Sequence, residues 1–390
     1  MRVEEIKQHL IKDILPFWKN LKDDRHGGFY GGMDYDLNLE KKAVKGCILN
    51  SRILWFFSNA YMTVNDEDSL LYAKHAYEFM KNAFLDKDYG GCYWSVSYDG
   101  KPEDDSKHTY NQSFAIYALS SYYKASGDEE ALKLAYELVD RVEGVCKDDI
   151  GYLEAYDRRF KPVSNEKLSE NGVMASRTMN TLLHIFEAYT ELFRVDQNKD
   201  IGEKLRWILD IFANKVYNPH LRRLEVFFDY EMNSLIDLNS YGHDIEAAWL
   251  LDRGCEVLDD PEYTKKISKI TKDLTDHIHQ EAYDGKSLNN EKECGKLDDK
   301  KVWWVQAEAI LGFLNGYQKD SSRKDYLEAA ANIWDFTKKY MIDHRKGSEW
   351  FHELSPEGIP LKDKEIVGPW KCPYHNGRMC FEVITRSVEF

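Results

Sequence analysis

The sequence lacks any apolar run that approaches the ~20 residues a membrane-spanning helix requires. Its first ten residues, MRVEEIKQHL, also lack the apolar region of a secretory signal peptide, so we expect a cytoplasmic protein. Basic residues are scarce relative to acidic ones, because 53 Lys and Arg against 68 Asp and Glu give a net charge of −15. The average field of such a chain repels nucleic acid and anionic membranes, and we expect neither as a partner.

Cysteine is sparse, and the seven cysteines never form a C-x-x-C pair. This pattern argues against a disulfide framework or a zinc cage and indicates reduced, mostly buried thiols. The glycine patterns of phosphate and dinucleotide loops, G-x-x-x-x-G-K-[ST] and G-x-G-x-x-G, are absent, as is the nucleophile motif G-x-S-x-G. We therefore expect neither an NTPase, a Rossmann oxidoreductase nor a serine hydrolase, and we predict no cofactor.

Helical spacing of apolar residues is what the chain has in abundance. Twelve such segments run from VxxIxxxLIxxILPFW near the start to NGRMCFEVITRSV near the end. The connections after helices two, four, six, eight and ten are a few residues long, as at Ser126-Gly127-Asp128, whereas the others reach roughly twenty residues or more. Short and long connections are therefore expected at opposite ends of the assembly.

The long connections share glycine next to aromatic residues, as in GGFYGGMDYDLN and GGCYWSVSYDGKP, which favours β-hairpins. These blocks recur about every sixty to seventy residues, and no Pro-, Ser- or Gly-rich linker divides the chain. The pattern predicts an all-α fold: one (α/α)6-barrel catalytic domain over residues 1–390, with twelve helices and short β-hairpins in the long loops. An open solenoid of helix pairs is the alternative, but its repeats are shorter and lack long loops.

Function is expected at the long-loop mouth, because loops on a rigid scaffold carry binding and catalytic groups. The first turns of the even-numbered helices line that mouth and are rich in polar and aromatic residues. The candidate site residues are Arg52, Tyr110, Asn180, His184, His243, Glu246, Trp304, Glu308, Trp370 and His375. The other nine histidines are interpreted as structural or surface residues.

Three of these candidates, His184, His243 and His375, come from separate repeats without the short spacing of a zinc motif, so we predict no metal. Histidine titrates near neutrality and can act both as a base and as the acid that returns a proton. With tryptophan to stack on a sugar, the set indicates proton transfer at the carbon next to an aldehyde. Two bases on opposite faces would invert that carbon.

Supporting roles follow from the same chemistry. Arg52, Asn180 and His184 are expected to donate hydrogen bonds to the oxygens of an enediolate. Glu246 lies three residues after His243, where a carboxylate orients an imidazole and raises its basicity.

Five strings carry a resemblance to a known family. They are KGCILNSRILWFFS, SENGVMASRTMNTLLHIFEAY, SYGHDIEAAWLLD, KVWWVQAEA and PWKCPYHNGRMC. The sequence resembles the cellobiose 2-epimerases of the N-acylglucosamine 2-epimerase superfamily over essentially its whole length.

The resemblance implies cofactor-free epimerisation at C2 of the reducing-end sugar of β-1,4-linked disaccharides, from cellobiose to glucosyl-mannose or from lactose to epilactose. It makes His243 and His375 the proton-transfer pair and Glu246 the support of His243. Contacts to the intermediate are implied for Arg52, Asn180 and His184, and contacts to the sugars for Tyr110, Trp304, Glu308 and Trp370. Some relatives also make ketoses such as lactulose.

Three alternatives stay open at this point. Within the class, the chain could be an N-acylglucosamine 2-epimerase or a mannose isomerase that acts on monosaccharides. The same barrel also houses inverting glycosidases, which need two carboxylates about 6.5 to 9.5 Å apart, and Asp244, Glu246 and Glu308 are candidates for them. A non-catalytic sugar-binding protein is the third alternative.

Overall fold

The computed structural model describes residues 2–169 and 171–390, and within them the chain forms twelve helices. The even-numbered helices, two to twelve, are Cys47–Val64, Thr109–Ser126, Met179–Asp196, Tyr241–Leu258, Trp303–Lys319 and His375–Arg386. Helix one combines Arg2–His9, a π-helical turn at Leu10–Ile14, and Leu15–Lys19. Helices three, five, seven, nine and eleven are Glu67–Phe79, Glu129–Arg141, Lys199–Ile211, Pro261–Glu281 and Lys324–Phe336. All of these except helix nine end in a π-helical turn, at Met80–Phe84, Val142–Cys146, Phe212–Val216 and Thr337–Met341.

The even-numbered helices form a closed inner ring, in which each helix packs against the next and helix twelve packs against helix two. Their residues are buried nearly all round, as an inner helix requires. The odd-numbered helices form the outer layer and bury one face only. The predicted (α/α)6 barrel is therefore confirmed. None of the helices in the described part of the chain has the length and apolar character needed to cross a bilayer.

Two-residue turns make the first four short connections. Each of the four inner helices before these turns ends at a left-handed residue, at Asn65, Gly127, Gln197 and Asp259. The next residue then caps the following outer helix: the side chains of Asp66, Asp128, Asn198 and Asp260 accept hydrogen bonds from backbone N–H groups of its first turn. The left-handed residue and the helix cap together reverse the direction of the chain at each of these turns.

Short strands tie the long loops into a ring. The strands are Lys45–Gly46, Ser95–Val96, Pro102–Asp104, Lys107–His108, Ala155–Tyr156, Arg177–Thr178, Tyr217–Asn218, Arg223–Leu224, Phe227–Phe228, Leu238–Ser240, Glu291–Glu293, Lys296–Asp298, Lys301–Val302 and Glu353–Leu354. The expected hairpins are present within the loops, for example Glu291–Glu293 with Lys296–Asp298. In addition, a strand of each loop pairs with the next loop, and a bridge between Met33 and Val367 joins the first loop to the last.

Ion pairs of buried basic residues anchor the same loops. A basic residue two positions before an inner helix pairs with an aspartate of the preceding loop in four repeats: Lys45 with Asp23, Lys107 with Asp86, Arg177 with Asp148 and Lys301 with Asp284. These contacts hold the first turns of the inner helices in fixed positions around the mouth.

Candidate active site

A cavity of about 270 Å³ lies at the long-loop end of the barrel. Nine of the ten residues expected from the sequence line it: Arg52, Tyr110, Asn180, His184, His243, Glu246, Trp304, Trp370 and His375. They come from all six inner helices and from the loop before helix twelve. The structure thus brings together groups that are more than 300 residues apart in the chain.

The tenth expected residue, Glu308, is fully buried beneath His375 instead of facing the cavity. Its Oε1 lies 2.7 Å from Nδ1 of His375, and its Oε2 accepts a hydrogen bond of 2.8 Å from the indole of Trp249. Glu308 lies in the second turn of helix ten, so it reaches below the site. Glu308 therefore contacts an imidazole and does not line the cavity, and a sugar contact for Glu308 stays a prediction.

His243 is held by a different group from the one expected. Its Nδ1 lies 2.7 Å from the hydroxyl of Ser240, the residue that precedes helix eight. Glu246 instead contacts the guanidinium of Arg378 and lies 3.8 Å from Nδ1 of His375. The two residues share a helix face, but Arg378 draws the carboxylate toward the barrel axis, so the expected support of His243 by Glu246 is not present.

His184 and Arg52 occupy the floor of the cavity. Nδ1 of His184 lies 2.9 Å from Oε2 of Glu187, three residues on. The Arg52 guanidinium donates to the Tyr110 hydroxyl at 3.0 Å and stacks on the rings of Phe114 and Tyr374. Arg52 forms no ion pair with an acid in the described part of the chain, so its charge is available to a ligand.

Aromatic rings form the walls. Trp304 lies between two histidines, with its ring centroid 4.8 Å from that of His243 and 5.3 Å from that of His375. Its neighbour Trp303 also lines the cavity but is 2% exposed, whereas Trp304 is only partly buried. Trp370 is 38% exposed at the rim, within 6.1 Å of the Trp94 ring and 5.9 Å of the Tyr110 ring.

The site is built for a polar ligand. Nε of Arg52, Oδ1 of Asn180 and Oε2 of Glu246 are buried and have no hydrogen-bond partner among the described residues. Buried polar groups are normally hydrogen-bonded, and these three belong to residues that line the cavity. The residues that carry these atoms thus place donor and acceptor groups around the cavity, which suits a polar ligand such as a sugar.

The electrostatics favour neutral imidazoles. Burial and the like charge of His184 lower the pKa of His243 to about 3. Burial, together with the Arg378 and Arg52 guanidinium groups, lowers the pKa of His375 well below its usual value. Burial and the adjacent Glu308 raise the pKa of Glu246 to about 7. At neutral pH both imidazoles are therefore free to accept a proton.

Asp244, a candidate carboxylate for glycosidase chemistry, does not face the cavity. One of its oxygens accepts the backbone N–H of Leu224 and the other accepts the side-chain amide of Asn239. Asp244 therefore anchors a loop hairpin to helix eight, a structural role that Gln306 repeats on helix ten by bonding to the backbone of Leu288.

Several residues in or beneath the cavity were not predicted from the sequence. Ser240 orients His243, Glu187 orients His184, and Arg378 joins the carboxylates beneath them. His352, which was expected to be structural, lines the cavity. One signal was available: a charged residue follows each catalytic candidate histidine at the third position, at Glu187, Glu246 and Arg378.

Several known proteins are similar to this chain in sequence and in fold. A family model described as N-acylglucosamine 2-epimerase matches residues 27–377. The chain is 52% identical over 389 residues to the cellobiose 2-epimerase of Ruminococcus albus, with 100% of both chains covered. A solved sugar epimerase from a ruminal bacterium superposes with a TM-score of 0.99 at 51% identity, covering 100% of both chains. The cellobiose 2-epimerase of Bacillus thermoamylovorans B4167 superposes with a TM-score of 0.95 at 44% identity, over 98% of this chain and 99% of that one.

Proposed function

This chain belongs to the N-acylglucosamine 2-epimerase family, and we propose that it epimerises C2 of the reducing-end sugar of β-1,4-linked disaccharides without a cofactor. Cellobiose would give glucosyl-mannose and lactose would give epilactose, with residues 1–390 acting as one catalytic domain. The observation that carries the proposal is the pair of imidazoles, His243 and His375, that face one cavity on either side of Trp304.

The proton transfer uses the two free ring nitrogens. Because Nδ1 of His243 is bonded to Ser240 and Nδ1 of His375 to Glu308, Nε2 of each ring is left for the substrate. After the sugar ring opens, one imidazole removes the proton from C2, and the electron pair forms the C1–C2 double bond of a cis-enediolate. The other histidine takes up a proton from solvent as the negatively charged enediolate forms and, as imidazolium, returns it to the opposite face of C2; the first imidazolium then releases its proton to solvent. The reaction is reversible because each histidine is the base in one direction and the acid in the other.

The enediolate carries negative charge on oxygen, and the floor of the cavity is arranged to stabilise it. Arg52 supplies a permanent positive charge, while Asn180 and His184 supply donors from helix six. Six helix N-termini point toward the same end of the barrel and add a favourable field. If a proton is delivered to C1 instead of C2, the same intermediate gives a ketose, so a slow aldose–ketose side reaction is part of the proposal.

The preference for a disaccharide rests on the rim. Trp370 stands at the opening, five residues before His375, so its indole can stack on the sugar beyond the reacting one. Tyr110 and Trp304 would contact the reacting sugar itself.

The decisive experiment is incubation of the purified protein with cellobiose in deuterated water. Glucosyl-mannose that carries deuterium at C2 is the expected product, because the base exchanges its proton with solvent. Release of free glucose would instead indicate a glycosidase, and unchanged cellobiose would indicate a binding protein.

Two variants test the proposed pair directly. His243→Asn and His375→Asn should each lower kcat at least about a thousandfold, or ~4 kcal/mol of barrier, with disaccharide binding largely kept. His220→Asn changes an exposed histidine outside the cavity and should leave kcat unchanged. Near-normal turnover in either active-site variant would reject the two-histidine mechanism.

A further inference from the structure

A second cavity, of about 330 Å³, lies at the end of the barrel where the short turns are, opposite the active site. The side chains around it come from the middle and the C-terminal halves of helices two, four, six, eight and twelve. Among the described residues, none lines both this cavity and the active-site cavity. Its volume falls in the range of ordinary small-molecule sites, roughly 300 to 1,000 Å³. We call it the distal cavity.

Aromatic rings form one wall of the distal cavity. The rings of Trp55 and Tyr117 stack with their centroids 5.5 Å apart, and the Phe381 ring lies 5.8 Å from that of Trp55. All three residues line the cavity. Such rings offer an apolar surface to a carbon skeleton, such as the C–H face of a sugar ring.

Unpartnered polar atoms lie on helix six, one helical turn apart. Thr190 is 7% exposed, and its Oγ1 is buried with no hydrogen-bond partner among the described residues. The same holds for Nε of Arg194, and both residues line the distal cavity. Because buried polar groups are normally hydrogen-bonded, these atoms indicate a polar ligand.

The outer part of the distal cavity carries more positive than negative side chains. Its cations are Lys124, Arg194 and Arg253, and its acids are Glu191 and Glu382. Arg194 pairs with Glu191 at 3.0 Å, and a second pair joins Arg253 to Glu382. Lys124 pairs with no acid in the described part of the chain. One positive charge is therefore left over, on a chain whose net charge is −15.

The cations also lie close enough to repel one another. Desolvation, together with the Arg194 and Arg253 guanidinium groups, lowers the pKa of Lys124. The negative ends of the helix dipoles account for Lys124 and Arg194, which lie in the last turns of their helices. Arg253 lies before the last turn of helix eight, so the cluster is larger than the helix ends require. An anion bound between these cations would relieve their repulsion.

We propose that the distal cavity binds a small organic anion that consists of a phosphate or carboxylate head and a body the size of a monosaccharide. The head lies among Lys124, Arg194 and Arg253, and the body lies against Thr190 and the aromatic wall. Sugar phosphates and sugar acids both have this chemistry. The site is separate from the epimerisation and does not depend on the proposed function.

The test is isothermal titration of the purified protein at low ionic strength with glucose 6-phosphate, gluconate, inorganic phosphate and glucose. The variants are Lys124→Glu and Thr190→Val. Lys269→Glu is the matched control, because Lys269 is an exposed lysine of helix nine that does not line the cavity. Each titration is repeated with saturating cellobiose to occupy the active site.

Glucose 6-phosphate or gluconate should bind the wild type, and the tighter of the two identifies the head group. Lys124→Glu should weaken this binding at least about 30-fold, because it replaces a charge-assisted contact with repulsion. Thr190→Val, which keeps the shape of the side chain, should weaken it about threefold, and Lys269→Glu should change it less than twofold. Inorganic phosphate, which has no body for the aromatic wall, should bind at least about tenfold more weakly. Cellobiose should displace none of the bound anion.

Absence of binding by both organic anions at about 10 mM would overturn the inference. Equal binding by folded Lys124→Glu and Lys269→Glu would also overturn it, because the cations would then serve only the helix ends. If Lys124→Glu does not fold, Lys124→Gln removes the charge alone and decides the same question. Displacement of the anion by cellobiose would place it in the active site instead.

Discussion

The contact between Glu308 and His375 gives the sharpest prediction for the reaction. In the proposed mechanism His375 becomes an imidazolium when it takes a proton from C2, and the buried carboxylate 2.7 Å from its Nδ1 would stabilise that charge. Glu308→Gln keeps the size of the side chain and removes the negative charge. The variant should therefore destabilise the intermediate more than the bound substrate.

The magnitude follows from the geometry. A buried hydrogen bond to a charged group contributes about 1.5 to 3 kcal/mol. Converted at ~1.36 kcal/mol per factor of ten, this is a loss of about 10- to 150-fold in kcat, with KM nearly unchanged. The interaction is lost only in the proton-transfer step, where the positive charge on His375 develops. We therefore expect kcat and kcat/KM to fall by the same factor.

The assay is steady-state epimerisation of cellobiose at pH 7.5. Asp252→Asn is the matched control, because it neutralises another buried carboxylate, which bonds to Thr271 and Asn315 outside the cavity. Burial raises the pKa of Glu308. A kcat within threefold of the wild type in a folded Glu308→Gln variant would mean that Glu308 is already neutral and that its charge plays no part.

Three further predictions concern specificity, stability and metals. Trp370→Ala should lower kcat/KM for cellobiose by a factor that corresponds to about 1 to 3 kcal/mol of lost binding energy, and should leave kcat/KM for mannose almost unchanged. An equal loss for both sugars would place Trp370 at the reacting sugar. Burial lowers the pKa of His108 to about 4, below its unfolded value of ~6.5, so the unfolded state alone binds the proton between these values. The unfolding free energy should accordingly fall by about 3 kcal/mol as the pH drops through this window, and a denaturation series of His108→Asn should show a shallower slope. Dialysis against EDTA should leave activity unchanged, because Arg378 contacts the carboxylates that a cation would need; activity restored by a divalent ion would contradict this.

The barrel could be predicted from the sequence because its two signals are local. Apolar periodicity marks each helix, and an Asx residue after a left-handed residue marks each of the first four short turns, as at Gly127 and Asp128. The pairing of one loop with the next could not be predicted, because a two-residue strand such as Lys45–Gly46 has no periodicity to detect and its partner is about fifty residues away.

The site was predictable as a set of residues but not as a set of contacts. Nine of the ten expected side chains line the cavity, because repeat position decides which end of the barrel a residue occupies. Which carboxylate meets which imidazole depends on side-chain reach across the barrel axis. Glu246 could bond to His243 on its own helix or to Arg378 on another, and only the packed structure distinguishes these.

The closed ring of inner helices also determines where this chain could be circularly permuted. Arg2 donates to the backbone oxygen of Phe390 at 2.5 Å, so the two ends of the described structure lie side by side, where helix one packs against helix twelve. A short peptide could join them, and new ends could be opened at Gly127–Asp128, on the side of the barrel away from the catalytic loops. Such a circular permutant would keep every strand pairing around the mouth, so the order of the repeats along the polypeptide is separable from the geometry that they build.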